Sequence, residues 1–219
     1  MTKSRNLRGK ALIEYKKCLK LNDLQREILV GTLLGDATII AQSERSEYNV
    51  KFEQQVDKSE YIQRLYEIFE PFVGTPPKIR NIMGGGAKDR QSIWFRTYRH
   101  ACFRFYYDIF YPKNQENNQR TKRVPKKISR YLTVRGLAYW FMDDGSFDRK
   151  YRQLTLSTHS FPINDQQLLK KVLKTQFHLN FKISKDRNRY YLITSDIQQF
   201  KQSIQPFILS CFDYKINWF

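Results

Sequence analysis

Apolar positions along this chain repeat first at a helical period and then by alternation, and the whole sequence of patterns occurs twice. Leu24, Ile28, Leu29 and Leu33 recur at helical spacing in the run that ends at Asp36, and Asn22 or Asp23 is placed to cap its start. Two β-rich runs follow, 37–41 and 48–54. In the second, Tyr48, Val50 and Phe52 share one face, and Asn49, Lys51 and Glu53 share the other. Asp57-Lys-Ser-Glu60 predicts a capped helix start, with Tyr61, Leu65, Ile68 and Phe69 as its apolar stripe. Strands are predicted over 77–83 and 91–97, joined by a Gly-rich hairpin tip at Met83–Ala87, and an aromatic helix over 101–111 closes the unit.

The same order begins again at Val134. Arg135–Asp144 reads as a helix ending on an acidic pair, Asp143-Asp144, followed by strand-like runs at 146–148 and 153–158. A helix over 164–176, strands over 180–185 and 190–194, and a helix near 196–204 complete it. Both halves therefore read αββαββα, which predicts an α+β fold of two pseudo-symmetric subdomains, 23–112 and 134–219. Residues 1–22 form a basic arm, with seven Lys/Arg up to Lys20 against Glu14 alone. An import presequence also fits a basic start, but this one is poor in Ser and runs into the helical pattern that follows. Residues 113–133 are a linker, polar at first and then basic. A solvated tether accounts for 113–119 but not for the Lys122-Arg-Val-Pro-Lys-Lys127 cluster.

Composition narrows the function. The 219 residues carry 39 Lys plus Arg against 21 Asp plus Glu, a formal charge of +18, which points to a polyanionic partner. No apolar run approaches the ~20 residues of a bilayer span, so no membrane partner is expected. Cys18, Cys102 and Cys211 have neither disulfide nor zinc spacing and are expected to be buried small apolar groups. His100, His159 and His178 are scattered singly, and Met83-Gly-Gly-Gly-Ala87 lacks the Lys-Ser/Thr of a phosphate loop. Carboxylates and lysines are left to carry any chemistry.

Asp36 and Asp144 stand at equivalent ends of the two motif helices. A helix C-terminus carries partial negative charge, so an acid there is disfavoured unless a cation is bound. Two such acids concentrate the negative potential that a hard divalent ion needs. Gly31 and Gly35, four apart, leave one face of the first helix almost without side chains and allow close approach of a second helix. Two carboxylates brought together with metal suit in-line attack on a phosphodiester.

Leu29-Val-Gly-Thr-Leu-Leu-Gly-Asp-Ala37 and Leu137-Ala-Tyr-Trp-Phe-Met-Asp-Asp-Gly145 resemble the two signature copies of a single-chain LAGLIDADG homing endonuclease of the omega-intron type. The similarity runs from about Lys10 to Ile216. It implies motif helices at the subdomain interface and antiparallel sheets forming a DNA-binding saddle. It implies that Asp36 and Asp144 are metal ligands and that Lys122 and Lys215 serve one active site each. Lys122-Arg-Val-Pro125 and Tyr214-Lys-Ile216 are the matching elements. Glu53 matches a polar position near the first active site and is counted by the resemblance among its catalytic residues, with its counterpart near Ser184. Ala37 and Tyr139 depart from the family pattern and imply asymmetric helix packing.

With a sheet in the major groove, alternation assigns DNA contacts to Asn49, Lys51, Arg80, Ser92, Trp94, Arg96, Gln153, Thr155, Ser157, Lys182 and Ser184. The resemblance implies a monomeric endonuclease that cuts both strands of a long duplex site, leaves short 3′ overhangs and promotes intron homing. It implies Mg²⁺ as cofactor, with Mn²⁺ substituting and Ca²⁺ binding without cleavage, and an organellar location, mitochondrial before chloroplast. An intron maturase, binding intron RNA on the same fold, is the alternative. A non-catalytic DNA-binding regulator is disfavoured because both acids are present and no extra helix-turn-helix is visible.

Overall fold

The computed structural model describes residues 7–41, 47–82, 90–114 and 117–217. The Gly-rich tip at 83–87 and part of the arm lie outside the described residues. The elements, in order, are α1 (Gly9–Lys17), α2 (Asp23–Leu34), β1 (Thr38–Ala41), β2 (Tyr48–Gln55), α3 (Ser59–Phe69), β3 (Lys78–Asn81), β4 (Gln91–Arg96) and α4 (Arg104–Phe110). Then come α5 (Val134–Asp144), β5 (Gly145–Asp148), β6 (Gln153–Leu156), α6 (Ile163–Phe177), β7 (Lys182–Asp186), β8 (Arg189–Thr194) and α7 (Ile197–Ile204). From α2 the order is αββαββα, twice, as the hydrophobic pattern predicts.

The chain divides into two compact units. One holds the residues up to Arg26 together with Asp36–Phe105, and the other holds Glu27–Gly35 together with the chain from Tyr106 onward. Each contains one four-stranded antiparallel sheet, ordered β1-β2-β4-β3 in the first and β5-β6-β8-β7 in the second. In the first unit α3 packs on β2 and β4, and Phe52 stacks on Phe69 and Phe95 with ring centroids 5.0 Å apart. In the second, α6 packs on β7 and β8, and α7 packs on α5. One face of each sheet is thus sealed by a helix whose apolar stripe matches the inward residues of the strands.

Local signals succeed and fail for identifiable reasons. Asn22 caps α2 through a reciprocal pair: the Gln25 backbone N–H donates to Asn22 Oδ1 (2.8 Å) and the Asn22 N–H donates to Gln25 Oε1 (3.0 Å). The box expected at Asp57–Glu60 does not form. A 3₁₀ turn at Val56–Lys58 precedes α3, whose N-cap, Lys58, makes no side-chain capping bond. The arm does not run unbroken into α2, because α1 ends at Lys17 and the chain turns before Asp23. The cysteines also differ from expectation: Cys18 is exposed, and Cys102 and Cys211 are half-buried. Cys18 is the C-cap of α1, a helix with no buried residue. Burial still pushes the Cys102 thiol up to about 12. His100 is structural, accepting a hydrogen bond from the Cys102 backbone N–H. Among the described residues no helix is long and apolar enough to cross a membrane.

Candidate functional site

The second unit contains the close approach that the small residues anticipate. A Cβ on Gly31 would collide with the Gly136 carbonyl of α5, and one on Gly136 would lie 3.0 Å from the Glu27 carbonyl oxygen. The two helices meet backbone to backbone at this point, and only glycine permits it. Near the start of α5, Glu27 accepts from Arg135 (3.0 Å) and from Thr133 Oγ1 (3.1 Å), while Thr133 caps α5 by accepting from the Gly136 N–H. Near the end, Asp143 lies so close to Gly35 that a Cβ there would be 2.5 Å from its Oδ2. The first acid of the Asp143-Asp144 pair is therefore packed against α2, which leaves Asp144 as the motif's terminal carboxylate.

Each motif helix ends on an acid and a lysine. Lys122 Nζ donates to the Gly35 carbonyl at 2.6 Å, one residue before Asp36. Lys215 Nζ donates to the Met142 carbonyl at 2.7 Å, two residues before Asp144. Both lysines are half-buried, and Lys215 also lies over the rings of Phe141 and Phe212. They satisfy carbonyls that a helix C-terminus leaves without partners. In the first unit Asp36 is exposed and its Oδ2 accepts from Gln54 Nε2 at 2.6 Å. Asp144 is half-buried, and its carbonyl accepts from the Ser157 N–H.

The basic linker has a defined path. Asp165, only 7% exposed, accepts a fork from Arg123 (Nε 2.8 Å, Nη2 2.9 Å) and a third bond from the Val124 N–H at 2.9 Å. The Arg123 N–H donates to the Phe110 carbonyl at 2.7 Å. Hydrogen bonding to Asp165 raises the Arg123 pKa against the opposing effect of its own burial. The residue next to Lys122 is thereby fixed to α6.

The sheet faces follow the predicted alternation. In the first unit Lys51 lies opposite Arg96, Glu53 opposite Trp94, Trp94 opposite Lys78, and Ser92 opposite Arg80. Arg80 and Arg96 are exposed, and Lys51 and Trp94 half-buried. Asn49 and Ser92 lie on this face but are buried, 5% and 2% exposed. Ser92 gives its hydroxyl to Glu53 Oε1 at 2.5 Å. Glu53 also accepts from Lys51 and from Arg80, whose Nε and Nη2 lie 2.7 and 2.9 Å from its two oxygens. Burial pushes the Glu53 carboxyl up, but the bonds from Lys51, Ser92 and Arg80 together outweigh it and hold its pKa below the ordinary value. In the second unit Gln153, Thr155, Ser157 and Ser184 are half-buried and Lys182 is exposed on the corresponding face.

Sequence reasoning missed Gln54, Asp165 and Lys78. Gln54 shares the parity of Val50 and Phe52 and so reads as a core position. Near the end of β2, however, its amide reaches Asp36. Asp165 is a helix-start acid in sequence, and nothing local reveals that it meets Arg123. Lys78 could have been found by alternation from Arg80.

Among the described residues no three His, Cys, Asp or Glu side chains form a metal-holding group. Asp36 and Asp144 each offer carboxylate oxygen, a donor type that suits a hard divalent ion.

Known proteins are similar to this chain in sequence and in fold. The family model described as "LAGLIDADG DNA endonuclease family" matches residues 26–202. The structure of the homing endonuclease I-WcaI bound to its DNA recognition sequence superposes with a TM-score of 0.85 at 26% identity, covering 96% of this chain and 95% of that one. DNA endonuclease I-ChuI of Chlamydomonas applanata is 26% identical over 211 residues, 91% of this chain and 97% of its own length. Cytochrome b mRNA maturase bI2 of Saccharomyces cerevisiae is 25% identical over 198 residues, 87% of this chain and 46% of its own length. With the duplicated αββαββα order, two glycine-faced motif helices and an aspartate at the end of each, the chain belongs to the LAGLIDADG DNA endonuclease family.

Proposed function

We propose that the protein is a monomeric, divalent-metal-dependent endonuclease that cuts both strands of a long, specific duplex DNA site and leaves short 3′ overhangs. The observation that carries this reading is the matched pair of helix ends, each with a terminal aspartate and a lysine bonded to the helix's last carbonyls. Asp36 and Asp144 would hold Mg²⁺, with Mn²⁺ as a substitute. The ion's chemistry there is to lower the pKa of water and to neutralise charge on the scissile phosphate. Gln54 orients the Asp36 carboxylate through its 2.6 Å hydrogen bond. Lys122 and Lys215 are held by carbonyl oxygens at 2.6 and 2.7 Å, so each ammonium is a preorganised charge for a phosphate oxygen as negative charge develops. One acid–lysine pair serves each strand. The polar faces of the two sheets supply the contacts to DNA, with Lys51, Arg80, Arg96 and Lys182 as the cations on them.

The test uses a plasmid bearing a cleavable site, with wild type, Asp36→Asn and Asp144→Asn compared in Mg²⁺. Wild type is expected to make double-strand cuts and neither variant to do so, while all three bind the site in Ca²⁺. Full cleavage by the double variant would remove the metal-ligand assignment. The similarity to a cytochrome b mRNA maturase supports a second reading, intron RNA binding, which predicts retention of intron transcripts by the Asp36→Asn/Asp144→Asn protein.

A further inference from the structure

Glu53 is expected from the sequence near the first catalytic centre, yet its carboxylate is occupied on the sheet face. Four side chains from three adjacent strands meet there: Lys51 and Glu53 on β2, Ser92 on β4 and Arg80 on β3. Glu53 grips Arg80 by Nε and Nη2 (2.7 and 2.9 Å), and Ser92 Oγ lies 3.3 Å from the same Nε. Ser92 itself is buried and bonded to Glu53, so the grip is anchored in the sheet rather than formed by two loose surface chains. Lys51, on the other flank, is also bonded to Glu53 and lies 5.7 Å from the centre of the Trp94 ring.

A guanidinium carries five N–H donors in a rigid plane. Glu53 takes the Nε edge. That leaves the outer Nη1–Nη2 edge, with no partner among the described residues, on a side chain that is 52% exposed. Two parallel donors on one edge match the O6 and N7 acceptors that guanine shows in the major groove, and no other base offers two acceptors there. An unrestrained arginine would lose rotamer freedom on binding and could equally well seize a phosphate. One held in plane by a carboxylate has little of that freedom left to lose and points in a fixed direction.

We propose that Arg80 is a specificity-determining residue that reads one guanine of the target, and that Glu53 is its positioning residue rather than a catalytic one. This rests on the reading of the sheet face as a DNA-binding surface. The Glu53 carboxylate keeps Arg80 in the fork geometry, which favours a base edge over the backbone.

The experiment selects bound sequences from randomised duplex DNA in Ca²⁺ and compares base preference column by column. Wild type should show a column with strong guanine preference that Arg80→Ala flattens, by roughly ten- to a hundred-fold as expected for one bidentate pair. Arg80→Lys keeps the charge without the fork and should flatten the same column while leaving the salt dependence of binding unchanged. Arg80→Gln should move that column toward adenine, whose N6 and N7 pair with an amide. Glu53→Ala should weaken the same column and no other. Uniform weakening across all columns with Arg80→Ala would make Arg80 a phosphate contact and overturn the proposal. An unchanged profile in Arg80→Ala, or loss at scattered columns in Glu53→Ala, would do the same. If wild type enriches no sequence at all, the DNA-binding reading itself fails, a result distinct from a wild-type consensus that Arg80 does not influence.

Discussion

At the scale of single residues, the acids of this protein are separated by what surrounds them. Asp165 is buried and takes three hydrogen bonds from one stretch of linker, so Asp165→Asn removes a charge-assisted fork and leaves Arg123 without its partner. A loss of about 1–3 kcal/mol in urea unfolding is expected, and a change below ~0.5 kcal/mol would contradict the structural role. Glu53 allows a pH prediction. Its pKa is lower in the folded protein than the ordinary 4.5, so the stability it contributes is fully present above that value and lost as pH falls through the lower, folded one. The stability difference between wild type and Glu53→Gln should hold constant at neutral pH and shrink only in acid below 4.5. A difference that shrinks on the alkaline side would reverse the sign. None of these partnerships is legible in the chain, because Asp165 and Arg123, or Glu53 and Arg80, are far apart in sequence.

At the scale of elements, the motif helices are the part of the fold most sensitive to a single methyl group. Gly31→Ala puts a Cβ into the Gly136 carbonyl, where backbone on both sides cannot yield. Gly136→Ala has 3.0 Å to the Glu27 carbonyl, and its next neighbour is a Leu132 methyl that can move. The first substitution should lower the thermal midpoint clearly more than the second, with a cost for Gly31→Ala at or above the ~1–3 kcal/mol of ordinary overpacking. Equal midpoints would mean that the helices slide apart freely. The pairing of these helices was readable from Gly31 and Gly35, because small residues four apart have few other uses on a helix face. Capping was readable at Asn22 but misread at Asp57, where a 3₁₀ turn takes the place of the box.

At the scale of the whole molecule, a formal charge of +18 dominates the encounter with any polyanion. Affinity for duplex DNA is expected to fall by about a thousandfold or more between 50 and 200 mM salt, as it does for proteins making 6–10 phosphate contacts. A nearly flat salt response would contradict the placement of cations on the sheet faces. The formal charge itself is a sum over the chain and is indifferent to folding. Its useful part is local, since Asp165 and Glu53 each hold an arginine in place while Lys51, Lys78, Arg96 and Lys182 remain on the sheet faces.

The chain by itself determined the duplicated αββαββα order, the inward and outward parity of most strands, the two terminal aspartates and the basic character. These are set by local periodicity and by residue type, which survive in one dimension. Tertiary structure alone decided that Asp143 packs against Gly35, that Gln54 serves Asp36, that Ser92 and Asn49 are buried, and that Glu53 is neutralised by cations. Each of those depends on which distant side chain arrives at a given point. Alternation fixes only the side of a strand on which a residue stands, while burial and hydrogen bonding depend on what the rest of the chain brings to that side.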